Sequence, residues 1–181
     1  MPIQVYSFYI FDRHTECIYS KQWHIRAPPP PAPPSLTSPP SSRPQSQQPS
    51  HPSHATPAVI PSALSAASKR RQDDDAKLIF GTVFSLRNMV RKLGGDDDAF
   101  IAFRTAHYKL HYYETPTNLR FAMLTEPGAL SMRNVLHQIY INLWVEYVVK
   151  NPLSPVEHKG GEGVRNEMFE MGLDKFVRGL M

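Results

Sequence analysis

Cysteine is almost missing from this chain of 181 residues: Cys17 stands alone. An internal disulfide is therefore excluded, and a reducing compartment is expected. No apolar run reaches the ~18 residues that a membrane-spanning helix needs. The start, MPIQVYSFYIFDR, offers no basic segment ahead of an apolar stretch and meets Asp12 and Arg13 early, so a signal peptide is not expected. Pro2 stands where myristoylation requires glycine, and the final GLM has no cysteine for prenylation. These absences predict a soluble, cytoplasmic protein.

A second scarcity is local. From Arg26 to Gln72 there is no Asp, Glu, Tyr, Phe or Trp, while thirteen of the eighteen prolines lie between Pro28 and Pro61. A stretch of this kind buries too little apolar surface to offset its ordering entropy, which predicts a disordered Pro/Ser-rich insert at 26–72. Residues 1–25 and 73–181 then form one domain. The fold tolerates the insertion, because each doubling of a loop costs only about 0.6 kcal/mol. The insert carries five of the twenty basic residues and none of the sixteen acidic ones, leaving fifteen against sixteen, a net charge of −1, on the remainder. The formal +4 of the whole chain thus belongs to the insert, and a nucleic-acid groove on the domain is not expected. Pro28 to Pro34 favours polyproline II, but Ala32 breaks the Arg-led ligand pattern.

Catalytic motifs are the third absence. Gly160, Gly161 and Gly163 lack both a preceding strand and a following Lys-Ser/Thr, so they do not make a phosphate-cradling loop. No serine sits in a G-x-S-x-G elbow. His107 and His111, four apart, would share a metal on a helix, whereas on a strand they stand about 13 Å apart. Asp96, Asp97 and Asp98 follow Gly94 and Gly95 as a solvated loop. Cys17 reads as a small core residue. No catalytic residue, cofactor or metal is expected.

What is present is pattern. Residues 3–11 place Ile3, Val5, Tyr9 and Phe11 on one face and Tyr6, Phe8 and Ile10 on the other, a strand covered on both sides. Glu16 to Trp23 returns as a second strand nearer an edge. Asp73 to Asp75 begin a helix that Gly94 and Gly95 stop. Its stripe is Ile79, Val83, Leu86, Val90 and Leu93. Phe100 to Ala106 is a third strand. Tyr108 to Leu124 is a hairpin turning at Thr115 to Asn118. Helices follow from about Met132 to Lys150 and from Glu162 to Leu180. The order ββαβββαα predicts an α+β fold with a five-stranded, mainly antiparallel sheet, one helix on one face and two on the other.

The blocks IQVYSFYIFDR, LIFGTVFSLRNMVRKLGG, YKLHYYETPTNLRFAMLTE and NVLHQIYINLWVEYVVKNPL together resemble the sedlin/synbindin group, the longin-like (SNARE-like) subunits of the TRAPP tethering complex, in its subunit 1 branch. The resemblance covers residues 3–24 and 76–181. It implies a non-enzymatic subunit of a particle that acts as guanine nucleotide exchange factor for a Rab GTPase in ER-to-Golgi and Golgi transport. The implied partners are a second longin-like subunit, a TRAPP core subunit of different fold and, through the complex, the GTPase. The implied location is cytoplasmic, peripheral to cis-Golgi and ER-Golgi membranes. The long insert departs from the compact pattern of the group.

The apolar arc of the first helix is wider than one sheet contact requires, so its margin is a candidate partner surface. The nominated residues are Phe80, Phe84, Arg87, Asn88, Arg91 and Lys92, with Tyr108, Tyr112 and Tyr113 from the hairpin; core packing is the competing explanation for each aromatic. Reversing Arg87 and Arg91 to Glu is expected to leave the domain folded. Rival readings are a small chain of a vesicle coat adaptor, a Pro-rich adaptor module, and a small hydrolase using His107, His111 and Glu114. A vesicle SNARE would need a heptad segment and an anchor beyond Met181.

Overall fold

A computed structural model describes residues 2–24, 61–95 and 97–181, with first-helix side chains from residue 68 onward. The part of the expected insert from 26 to 60 lies outside the described residues. Residues 61–72 do not behave as insert: they are helical, and α1 runs from Pro61 to Gly94. Asp73 to Asp75 consequently lie within the helix and not at its start. Composition misjudged this boundary because Ala63, Ala66, Ala67, Lys69, Arg70 and Arg71 are good helix formers that need no core once a packed helix is nucleated beside them. Pro61 suits a first helical position, where its missing N–H costs nothing.

The sheet comprises β1 (Val5–Phe11), β2 (Cys17–Gln22), β3 (Ala102–Arg104), β4 (Lys109–Glu114) and β5 (Arg120–Thr125) in the order β2-β1-β5-β4-β3. Every neighbouring pair is antiparallel. The first strand is interior and the second is an edge, as their patterns required. β3 is three residues long, shorter than the apolar run around it. The hairpin closes with Glu114 opposite Arg120 and Tyr112 opposite Ala122. Asn118 takes a positive φ of 60° in its turn, a conformation that asparagine tolerates. The buried Thr115 hydroxyl accepts the Leu119 N–H at 3.1 Å.

Two face assignments change. The β1–β5 register shifts between Val5 and Ser7, and this bulge leaves Ile3 and Val5 on the side of Phe8 and Ile10. Tyr9 and Phe11 stay on the other side. A strict two-residue period cannot foresee an inserted residue.

α2 spans Arg133–Ile139 and passes directly into a π-helical segment, Tyr140–Val149. The Lys150 N–H reaches back to the Val145 carbonyl at 2.9 Å. The wider π turn directs Leu143, Trp144 and Val148 together into the core. α3 covers Glu167–Arg178, starting five residues later than expected because Gly160, Gly161 and Gly163 all take positive φ. Asn166 caps it, its side chain accepting the Met168 and Phe169 N–H groups at 2.8 and 3.2 Å.

α2 with its π continuation and α3 cover one face of the sheet, burying Phe8, Ile10, Phe121, Met123, Leu136, Ile139, Trp144, Phe169 and Leu173 in one cluster. α1 covers the other with two smaller clusters, around Tyr9 and Phe11 and around Val83, Leu110 and Tyr112. Asp174 ties α3 to β2: it accepts the Trp23 indole N–H at 2.8 Å and pairs with Lys21 and Arg178. Those hydrogen bonds, Trp23 first, hold its carboxyl below the usual range.

Candidate functional site

The α1 face is built on the expected stripe, with one exception. Val83 is buried and Ile79, Leu86 and Val90 pack against it, but Leu93, expected in the buried stripe, is 82% exposed. Beside the stripe, Phe80 lies 5.3 Å from the Phe11 ring and stacks on Phe84 at 5.9 Å. Phe84 remains 46% exposed, so Phe80 is packing and Phe84 is surface.

Arg87 is less available than the sequence suggests. Its Nε donates to Glu114 Oε2 at 2.6 Å, while Arg120 Nε donates to the other Glu114 oxygen at 3.3 Å. The Glu114 hydrogen bond raises the Arg87 pKa above its ordinary value. Arg120 also reaches the Asp12 carbonyl at 3.2 Å and lies over the Phe80 ring at 5.8 Å. The three charged side chains are largely covered, so this pair of bridges is a strut between α1 and the hairpin. Replacing Arg87 by Glu would set like charges against Glu114, so this reversal carries a stability cost that the sequence did not suggest. Glu114 and Arg120 escaped attention as a hub, although their direct opposition across a short hairpin is a pairing that register makes visible.

Further along α1, Asn88 is half-buried, and Arg91 and Lys92 are exposed. The hairpin tyrosines separate. Tyr108 is half-buried, its ring edge-on to Phe103 at 5.9 Å. Tyr112 is only 2% exposed beneath α1, which removes its ring as a surface contact. Tyr113 points to the opposite face, where its hydroxyl meets His137 Nδ1 at 2.8 Å. Side chains alternate along a strand, so neighbouring tyrosines cannot share one surface. Phe84, Asn88, Arg91 and Lys92 are therefore the nominated residues that α1 presents together, with Phe80 and Arg87 beneath them.

A half-open cleft of about 390 Å³ lies at the C-terminal end of α1, lined by Arg91, Phe100, Tyr112, Pro116, Asn118 and Arg133 among others. A second cleft, of about 610 Å³, lies between β2 and α1 near Gly160 and includes Cys17. Burial pushes the Cys17 thiol up to about 11, which leaves it protonated at neutral pH.

The histidines are not a pair on one strand face, as the sequence implied. His107 is exposed in the bend before β4, and His111 is buried within it. His111 Nδ1 accepts the Met132 N–H at 3.3 Å, so its Nε2–H donates to the Thr125 hydroxyl at 3.0 Å. Burial, with help from Lys109, lowers its pKa to about 4. It is a neutral structural link between the sheet and the start of α2. Among the described residues no group of three or more His, Cys, Asp or Glu could hold a metal, and no helix is long and apolar enough to cross a membrane.

A five-stranded antiparallel sheet with one helix on one face and a helical layer on the other defines an α+β domain of the sybindin/longin-like class, in which surface is the conspicuous asset. Residues 5–180 match the Sybindin-like family, and the chain belongs to that family. Among relatives, the chain is 41% identical over 180 residues to the Transport protein particle subunit bet5 of Schizosaccharomyces pombe, covering 97% of each chain. It is 36% identical over 178 residues to the Trafficking protein particle complex subunit 1 of Homo sapiens, covering 97% of this chain and 93% of that one. With subunit BET5 of the Saccharomyces cerevisiae complex it shares 30% identity over 175 residues, covering 96% and 87%.

Proposed function

We propose that this chain is a non-enzymatic structural subunit of the TRAPP vesicle-tethering complex. In this reading it contributes surface to a platform that promotes guanine nucleotide exchange on a Rab GTPase in ER-to-Golgi and Golgi transport. It acts in the cytoplasm, peripherally on those membranes, beside a second longin-like subunit and a core subunit of different fold. The observation that carries the reading is that relatives covering nearly the whole chain are themselves named as particle subunits. The exposed margin of α1, with Phe84, Asn88, Arg91 and Lys92 side by side, supports it physically. Exchange requires only that the assembled surface bind one GTPase conformation better than another, and a subunit supplies part of that difference without chemistry of its own.

The test is recovery of the tagged chain from its own cells followed by a nucleotide-release assay on candidate Rab GTPases. A stable multisubunit particle that accelerates release is expected; a lone monomer would contradict the reading. Removal of residues 27–60, leaving α1 whole, addresses the rival reading as a Pro-rich adaptor module. Assembly and exchange should survive that deletion.

A further inference from the structure

The outer side of α1 carries a line of exposed residues. Leu78, Thr82, Ser85 and Met89 follow a 4,3,4 spacing, which puts them on one stripe turned away from the buried Ala76 and Val83. Leu78 is 71% exposed and Met89 49%. Aligned on one helix, they form a strip and not scattered surface residues. Asp74 and Lys92 bound the strip. They are 92 − 74 = 18 residues apart, five full turns or about 27 Å, so they stand on one line of the same side. Both are exposed; Asp74 has a long contact to Lys77 at 3.9 Å, and Lys92 has no carboxylate within ion-pair distance among the described residues. Three pairs are centred on one level of the helix: Asp74 with Lys92 and Gly81 with Ser85 at residue 83, Leu78 with Met89 between residues 83 and 84.

We propose that α1 docks antiparallel on the α1 of a second copy of this chain, making an isologous two-fold dimer about that level. The arrangement sets Asp74 against Lys92 twice and Leu78 against Met89 twice, with Gly81 against Ser85 near the crossing. A parallel arrangement would set Asp74 on Asp74 and Lys92 on Lys92, so charge fixes the direction. The occupant is a second copy because the complementarity lies within a single helix: a foreign partner imposes no symmetry on the surface it meets. Contact over five turns buries less than the ~1,200 Å² at which standard interfaces begin, so the dissociation constant is on the order of 100 μM. The dimer covers Lys92, and one copy therefore cannot pair with its like and offer that margin to another protein at once. The pairing stands whether or not the chain is a subunit of a larger assembly.

Sedimentation equilibrium of the full chain from about 10 μM to about 500 μM tests it, since that range brackets the dissociation constant. A monomer–dimer equilibrium with no larger species is expected. Asp74→Lys alone, or Lys92→Asp alone, puts like charges at both symmetric contacts and should weaken the dimer at least about tenfold, with the melting temperature of the dilute chain unchanged. An equimolar mixture of the two variants brings opposite charges back to both contacts and should recover a dimer of about wild-type affinity. A chain that stays monomeric at every concentration, a dimer that neither variant weakens, or a mixture that stays monomeric would overturn the inference. It would also fail if the chain were monomeric while Leu78→Asp weakened its binding to other subunits, because the stripe would then belong to a different protein.

Discussion

The two faces of the sheet are finished to different degrees. On the α2/α3 face a single large cluster is sealed by aromatic edge-to-face contacts, such as Trp144 with Phe169 at 6.1 Å and Tyr19 with Phe169 at 5.2 Å. Several of its polar groups are matched, with His111 bonded on both nitrogens and Asn166 capping its helix, while Ser154 Oγ between the helices has no partner among the described residues. The α1 face has smaller clusters, a half-exposed phenylalanine stack, a covered ion-pair strut and an orphan tyrosine hydroxyl. A face that folds the chain closes on itself. The other keeps apolar and basic side chains at its surface.

That contrast predicts unequal costs of truncation. Phe169→Ala, in the large core, should lower unfolding free energy by about 4 kcal/mol in a denaturant titration, whereas Phe80→Ala at the α1 margin should cost about 1 kcal/mol. Equal losses would show that the α1 face is as complete as the other. Acid is the next probe. His111 is neutral in the fold, with a pKa lowered from 6.5 to about 4, so the unfolded chain binds its proton first as pH falls. Its contribution is fully present above about pH 6.5 and is lost as pH drops toward 4, a decline of about 3 kcal/mol. His111→Gln should flatten the decline in that window. Arg87→Glu should destabilise the isolated chain by about 2 kcal/mol by setting like charges against Glu114, and Arg87→Glu combined with Glu114→Arg should recover part of it. Phe84→Ala should change stability least, by under about 0.5 kcal/mol, because nearly half of the ring is already in water.

Most of the fold was legible because it rests on periodicity: the doubly apolar first strand, the hairpin from Tyr108 to Leu124 and the stripe from Ile79 to Val90 all stand where alternation or helical spacing puts them. What escaped depends on single residues departing from a period. The bulge that turns Val5 over, the π turn at Tyr140–Val149 and the glycines that delay α3 are of that kind. The start of α1 escaped for a different reason, since an Ala-rich polar segment carries no apolar signal and takes its helicity from the packed turns after it. At the candidate surface, residue type pointed to aromatics and arginines, but only the strand's alternation decides that Tyr112 is floor and Tyr113 belongs to the other face. The Arg87–Glu114–Arg120 strut joins a helix to a hairpin distant in sequence, and such a meeting is invisible before the fold is known.

The central claim is that the outer margin of α1 is a partner surface. Its most direct test is the assembly and exchange activity of a complex reconstituted with Phe84→Ala, Arg91→Glu and Lys92→Glu combined in this chain. The account predicts an unchanged melting temperature for the isolated variant and loss of stable assembly or of Rab nucleotide release; a variant complex that assembles and catalyses exchange at the wild-type rate would contradict it.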